Sequence, residues 1–405
     1  MTTPIDFSEI LPVSKNVYTF NPSIAHYRDD LYLCSYRAFV RYPQILQKTE
    51  SYDYTEDYVT DPNHPWLGGI KGELWWNSEY GYDLTEFVML KITQAGVVTL
   101  DINYLNSGII NSTQTEMINP GIMNGVDGRL LKLSDNKFII SYNVAISDKG
   151  MIIGGGKSCA EKCTLIATRI IQINPVNKSM ILGDETILCP SISKNTEKNW
   201  SLSRVSDTDV SLSYSIESSH ELYRLKIERD SVSCDEVHIS QSAPFFIALK
   251  AYYNNQISIS VSTPTIPIGG DPFVRISVGH IKYKWADLSI YPPGSPLVLF
   301  TQKMQRLEGL IVHPVAIYLM FLYTFDYRTG QLLSCSDMFS PKSNTLLCYP
   351  SGLSPCSGSP SGNIIISYGE SDSRCKFMSV GQEWIESQLI KGDIIDPSII
   401  KFKML

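Results

Sequence analysis

Hydrophobic and polar positions alternate along this chain in short runs, and one run recurs. It reads Asp30-Leu-Tyr-Leu-Cys-Ser-Tyr36-Arg37, then Asn136-Lys-Phe-Ile-Ile-Ser-Tyr142-Asn143, Asp209-Val-Ser-Leu-Ser-Tyr214-Ser215 and Gly362-Asn-Ile-Ile-Ile-Ser-Tyr368-Gly369. A looser copy is Phe273-Val-Arg-Ile-Ser-Val-Gly279-His280. Each is a polar turn followed by a β-branched or aromatic strand that ends near Ser-Tyr. The tyrosines step by 106, 72 and 154 residues, with the looser copy inside the last gap. With one insertion removed the step is roughly 70 residues, the scale of a four-stranded blade with its loops. The pattern predicts an all-β chain: one five-bladed β-propeller domain over residues 1–405, with inner-strand phrases at its central channel.

Two stretches fall outside the repeat. Residues 1–20 read as a lead-in or closing strand. Residues 41–88 hold Tyr42, Tyr52, Tyr54, Tyr58, Trp66, Trp75, Trp76, Tyr80 and Tyr82 without an apolar period. They read as a long aromatic-rich insertion at the channel mouth, since loops of this length are usually functional or disordered and aromatic content argues against disorder. Its aromatics would either pack on the rim or stack on sugar faces.

Polar phrases keep step with the strands. Asn21-Pro-Ser-Ile opens the first blade, Asp127-Gly-Arg129 lies in the second and Glu197-Lys-Asn-Trp200 in the third. Gly269-Gly-Asp-Pro272 with His280 and Lys282 lies in the fourth, and Tyr349-Pro-Ser-Gly352 to Tyr368-Gly-Glu-Ser-Asp372 in the fifth. Asp127 to Asn199 is 72 residues and Asn199 to Gly270 is 71. These phrases are expected to meet on one ring.

The charge balance narrows the partners. With 34 Lys and Arg against 41 Asp and Glu the net charge is −7, which argues against a general nucleic-acid binder. The N-terminus lacks a signal-peptide layout, and the apolar run Ile311–Phe325 is too short to span a bilayer. Nine cysteines, an odd number, fit a reducing, cytoplasmic setting. Cys159 and Cys163 have no second pair at zinc spacing, so no metal is expected. No P-loop, Gly-x-Ser-x-Gly or Rossmann fingerprint is present, so no nucleotide cofactor is expected either.

Asp127, Asp271 and Asp372 are the candidate catalytic acids. Glycosidic cleavage needs one carboxyl group to protonate the leaving oxygen and another to activate a water or nucleophile. The competing reading is that such Asp residues cap turns. Arg37, Arg129, His280 and Lys282 suit phosphate, Arg as a fork and Lys as a point charge, or else pair with the nearby acids.

In this order the phrases resemble the five-bladed propeller enzymes around glycoside hydrolase family 130, the β-mannoside phosphorylases. They also resemble the β-1,2-mannosyltransferases and phosphorylases of glycosyltransferase family 108. The likeness runs from about residue 20 to 380. It implies an enzyme that makes or breaks a mannoside by single displacement, with oligosaccharide or sugar phosphate as partner and phosphate or a sugar nucleotide as co-substrate. An oligomer is compatible with it. It implies Asp127 as the acid, working through a sugar hydroxyl, and Arg129 as a phosphate or sugar ligand. Asp372 would lie against the glycone, with Asn21, Arg37, Lys198, Asn199 and Tyr368 as sugar ligands and His280 and Lys282 near phosphate. Val126 and Gly128 stand where that family has Glu and Pro, and Asp271 where a small hydroxyl residue is common. Two alternatives stay open: a glycosidase using three carboxylates, and a non-catalytic sugar-binding or scaffold propeller.

Overall fold

In a computed structural model of the protein, the described residues are 4–11, 17–41, 81–93, 96–101, 122–123, 126–147, 152–154, 161–176, 178–188, 199–228, 231–284, 287–306, 317–341, 347–357, 362–370, 374–391 and 396–405. Their strands form five sheets that are antiparallel along their main paths, each laid down largely in chain order with its first strand innermost. The innermost strands are Val17–Arg28, Val126–Ser134, Ser201–Arg204, Ser258–Val261 and Cys348–Pro355. Each sheet touches the next, and the fifth returns to the first, so the sheets close into a blade-like ring.

The closure uses both ends of the chain. Ile5–Asp6 pairs with Arg374–Val380 as the outer strand of the fifth sheet. Leu389–Lys391 adds to the outer edge of the fourth, and Phe402–Met404 runs parallel to Met338–Ser340 of that sheet.

Alternation explains the packing. A strand buried on both faces sends alternate residues to opposite neighbours. In Leu31–Arg41, Tyr32, Cys34, Tyr36 and Ala38 pack toward the fifth sheet while Leu33 packs toward the second. Five apolar clusters fill the gaps between neighbouring sheets in this way. The recurring phrase is the second strand of every sheet, not the innermost one the repeat suggested. Its tyrosine carries the packing: Tyr36, Tyr142, Tyr214 and Tyr368 each face the preceding sheet.

Its serine is buried too, and in the fifth sheet it laces two sheets together. Ser367 Oγ donates to Pro22 O at 2.7 Å and accepts from Ile24 N at 3.3 Å, satisfying a bulge in the first sheet's inner strand. Ser23 Oγ in turn accepts from Leu130 N of the second sheet at 2.9 Å. Gly352 is required at the same crossing, because a Cβ there would lie 2.7 Å from Ile24 N.

Arg41 ends one strand and pairs with Gly81 at the start of the next. Residues 81–88 therefore belong to a strand, which trims the irregular segment expected over 41–88, and 42–80 lie outside the described residues. No described helix is long and apolar enough to cross a membrane. No His, Cys, Asp and Glu cluster able to hold a metal occurs among the described residues.

Candidate functional site

Residues at or near the starts of the inner strands converge at one mouth of the ring. Asn21, Asp127 and Asn199 sit there with φ of 49°, 57° and 62°. Among the described residues, the other positive-φ residues that are not glycine (Asp29, Lys178, Asn254 and Asn255) lie in turns. Left-handed backbone outside a turn is uncommon, tolerated best by Asn and Asp, and concentrates at functional sites.

Asp127 is the centre of this group. Its Oδ1 accepts from Asn21 Nδ2 at 2.7 Å and Arg37 Nη1 at 3.3 Å, and its Oδ2 accepts from Asn143 Nδ2 at 3.2 Å. These three donors come from the first and second sheets, and all offer N–H, which a carboxylate accepts as an anion. Asn21 is seated by Gly369, where a Cβ would collide with its side-chain oxygen. Arg37 is flattened over the Phe20 ring at 4.9 Å. Asp127 keeps 17 % of its side chain exposed against 7 % for Arg37, so the carboxylate is the part that reaches the mouth.

Arg129 lies beneath and is 1 % exposed. Its Nη1 donates to Asp127 O at 2.6 Å, its Nη2 to Asn199 Oδ1 at 3.2 Å and to Tyr349 Oη, and its Nε to Ser262 O. One guanidinium thus ties the second sheet to the third, fourth and fifth. None of these partners is a carboxylate. Tyr349 also donates to Asn199 Oδ1. Trp200, the next residue, is buried against Tyr214 at 5.1 Å and so helps fix the position of Asn199.

His280 completes the ring. Its Nδ1 meets Ser262 Oγ at 2.5 Å, and its ring lies 5.2 Å from Tyr349 and 5.3 Å from Tyr318. Burial, with Arg129 and Lys282 nearby, pushes the imidazole down to about 3. At neutral pH it offers a hydrogen bond and no charge. Lys282, two residues on and so on the same strand face, is exposed with its ammonium 5.6 Å from the Tyr318 ring.

The structure therefore brings Asn21, Arg37, Asp127, Arg129, Asn199 and His280 into one network, with Lys282 beside it. Two residues are not brought there. Asp271 is exposed, and its carboxylate accepts from Phe273 N at 2.8 Å in the turn before Val274–Tyr283, at the end of that strand away from His280. It caps that turn, and the structure does not bring it to the Asp127 network. Tyr368 is core: it packs between the fourth and fifth sheets, and burial drives its phenol far above its ordinary value. Lys198 and Asp372 lie outside the described residues.

Sequence reasoning missed Asn143, Ser262 and the role of Tyr349. Asn143 carried a signal, because it follows Tyr142 as Arg37 follows Tyr36. Tyr349 lay in a quoted phrase, whereas Ser262 carries no pattern. A buried ion pair was also missed: Glu370 Oε2 lies 2.5 Å from Lys376 Nζ near the same mouth.

No protein-family model matches the chain, and no curated protein matches it. Several solved structures align over most of its length. A mannose phosphorylase from Leishmania mexicana, in complex with phosphate ion, is 9% identical, with 93% of this chain and 88% of that one covered and a TM-score of 0.43. A β-1,2-mannobiose phosphorylase from Listeria innocua is 9% identical, with 96% and 99% covered and a TM-score of 0.44. A Trypanosoma rangeli sialidase is 9% identical, with 95% and 59% covered and a TM-score of 0.34. At these scores the likenesses carry no argument about the site.

Proposed function

We propose that the chain is a five-bladed propeller whose Asp127 mouth makes or breaks a glycosidic bond, the substrate class being a mannoside. The observation that carries this reading is the Asp127 carboxylate: an anion oriented by three N–H donors from the first and second sheets, part-exposed, directly above a buried arginine that reaches the other three. Such a group can take a proton from a sugar hydroxyl or return one to a leaving oxygen, the two halves of a displacement at an anomeric carbon. Lys282, the exposed cation beside the network, and Nε2 of neutral His280 would steer the second reactant. Phosphate, water or a sugar hydroxyl each fits that role.

The test is Asp127→Asn assayed with mannose-1-phosphate, or GDP-mannose, plus mannose. Oligosaccharide formed by the native protein should vanish in the variant. The fold should survive: Asn143 Oδ1 meets no donor among the described residues, so its amide can turn to accept from the new Nδ2. Full activity in the variant would remove Asp127 from the chemistry.

A second reading has its own observation. Arg129 spends its donors on protein acceptors, which suits a binding or scaffold propeller as well as an enzyme. Sugar binding by the native protein with no product from any donor would favour it.

A further inference from the structure

The inner strands run from the Asp127 mouth to the opposite one, and a cavity of about 320 Å³ opens there. Every sheet contributes to its wall. Tyr349 at one end and Leu353–Ser354 at the other are four to five residues apart on one strand, roughly 15 Å at the usual rise. Arg129 and its partners fill the layer between. The cavity is thus separate from the site already described.

Its lining has an unusual charge. His26, Lys132, Arg204 and Arg275 reach it, and no Asp or Glu does. Arg204 holds Asp207 at 2.5 Å on its exposed side. Lys132 and Arg275 have no carboxylate in salt-bridge range among the described residues. Lys132 Nζ donates to Tyr27 O at 2.6 Å, and Arg275 donates to the carbonyls of Pro272, Val274 and Arg204 while lying 4.6 Å from the Tyr327 ring. The rest of the wall is largely apolar, with Leu131 and Ile266 among it. Asp135 and Asp271 act on Lys132 and Arg275 from outside the lining, so the wall itself presents two cations with no carboxylate over an apolar floor, which matches a dianion on a compact apolar body.

We infer that this opposite mouth is a second ligand site, for a small phosphomonoester whose phosphate lies between Lys132 and Arg275 and whose body fills the cavity. The Lys132 ammonium is pulled down by burial, which the Asp135 carboxylate opposes and Arg204 reinforces, so an arriving dianion would offset a partly desolvated charge.

Isothermal titration calorimetry of the full chain with phenyl phosphate at low salt tests this. Binding is expected for the native protein and absent for phenol. Lys132→Gln, which keeps a donor for Tyr27 O, should weaken it by roughly tenfold or more, the loss of one charge-assisted contact. Arg204→Gln, at an exposed position, should weaken it by less. Lys282→Gln, at the other mouth, should leave it unchanged. Absence of binding in the native protein, equal binding in Lys132→Gln, or loss in Lys282→Gln instead would each overturn the assignment.

Discussion

Replacing Arg129 with methionine should reveal how much of the ring depends on one side chain. Four acceptors lose their donor, but they are not equally orphaned. Asn199 Oδ1 and Tyr349 Oη keep the hydrogen bond to each other. Asp127 O and Ser262 O are left without it. A buried acceptor that loses its partner costs about 1–3 kcal/mol, so the two together cost about 2–6 kcal/mol. Methionine fills most of the volume, so a cavity adds little. For a chain of 405 residues, unfolding entropy near 2.1 cal/mol/K per residue converts this to a Tm drop of roughly 2–7 °C. Differential scanning calorimetry gives the number, and the fluorescence of buried Trp200 reports the same region. Arg129→Lys should lose nearly as much, because a point charge cannot serve four acceptors at once. A shift below 1 °C for Arg129→Met would refute the hub.

Three further outcomes follow from the same geometry. His220 is buried, its Nδ1 2.8 Å from Gly330 O and its Nε2 3.0 Å from Ser213 Oγ, and burial holds it down to about 4 as it holds His280 at about 3. Unfolded imidazoles protonate near 6.5, so this stability is complete above that pH and is lost as pH falls toward 4 and 3; the unfolding free energy from denaturant titration should fall with a slope approaching about 2.7 kcal/mol per pH unit, and His220→Gln should halve it. Gly369→Ala should displace Asn21 from Asp127, since the new Cβ would lie 2.8 Å from Asn21 N even after the side-chain oxygen moved; sugar turnover should drop more than stability, and native kinetics would contradict the Asn21–Asp127 link. Glu370→Gln breaks a pair whose side chains are 8 % and 16 % exposed, and the unpaired Lys376 should lower the thermal midpoint without changing turnover.

The sequence carried the ring better than it carried the site, for a physical reason. Strands buried on both faces must repeat their size and alternation, and Tyr36, Tyr142, Tyr214 and Tyr368 register that repeat because each fills the same gap between sheets. The repeat was assigned to the wrong strand, since the second strand of a sheet is the one packed on both sides and so carries the strongest pattern. Three of the innermost strands, Val17–Arg28, Val126–Ser134 and Cys348–Pro355, are bulged, which breaks their alternation, and the polar residues at their mouth end answer to the axis. That is why Asp127 could be read in sequence as a turn cap: the left-handed tolerance of Asn and Asp serves both uses. Asp271 looked alike and is a turn residue. Ser262 contributes mainly a backbone carbonyl, which no side-chain pattern can announce.

One consequence concerns how the two mouths relate. Arg129 holds Asp127 from below, and the next residue, Leu130, lines the far cavity. Leu130 N is itself bonded to Ser23 Oγ, two residues from Asn21, which grips Asp127 from the side. A ligand seated at Lys132 and Arg275 therefore presses on a strand that reaches Asp127 within five residues. The strand's left-handed start at Asp127 is strained, and strain held by packing is sensitive to what packs against it. If the far mouth is occupied, Asp127 should sit more rigidly, and sugar affinity at its mouth should rise with phenyl phosphate. By linkage, sugar must then tighten phenyl phosphate by the same factor. Titrating each ligand in the presence of the other measures both limbs. Independent affinities would show that Arg129 insulates the two mouths and does not join them.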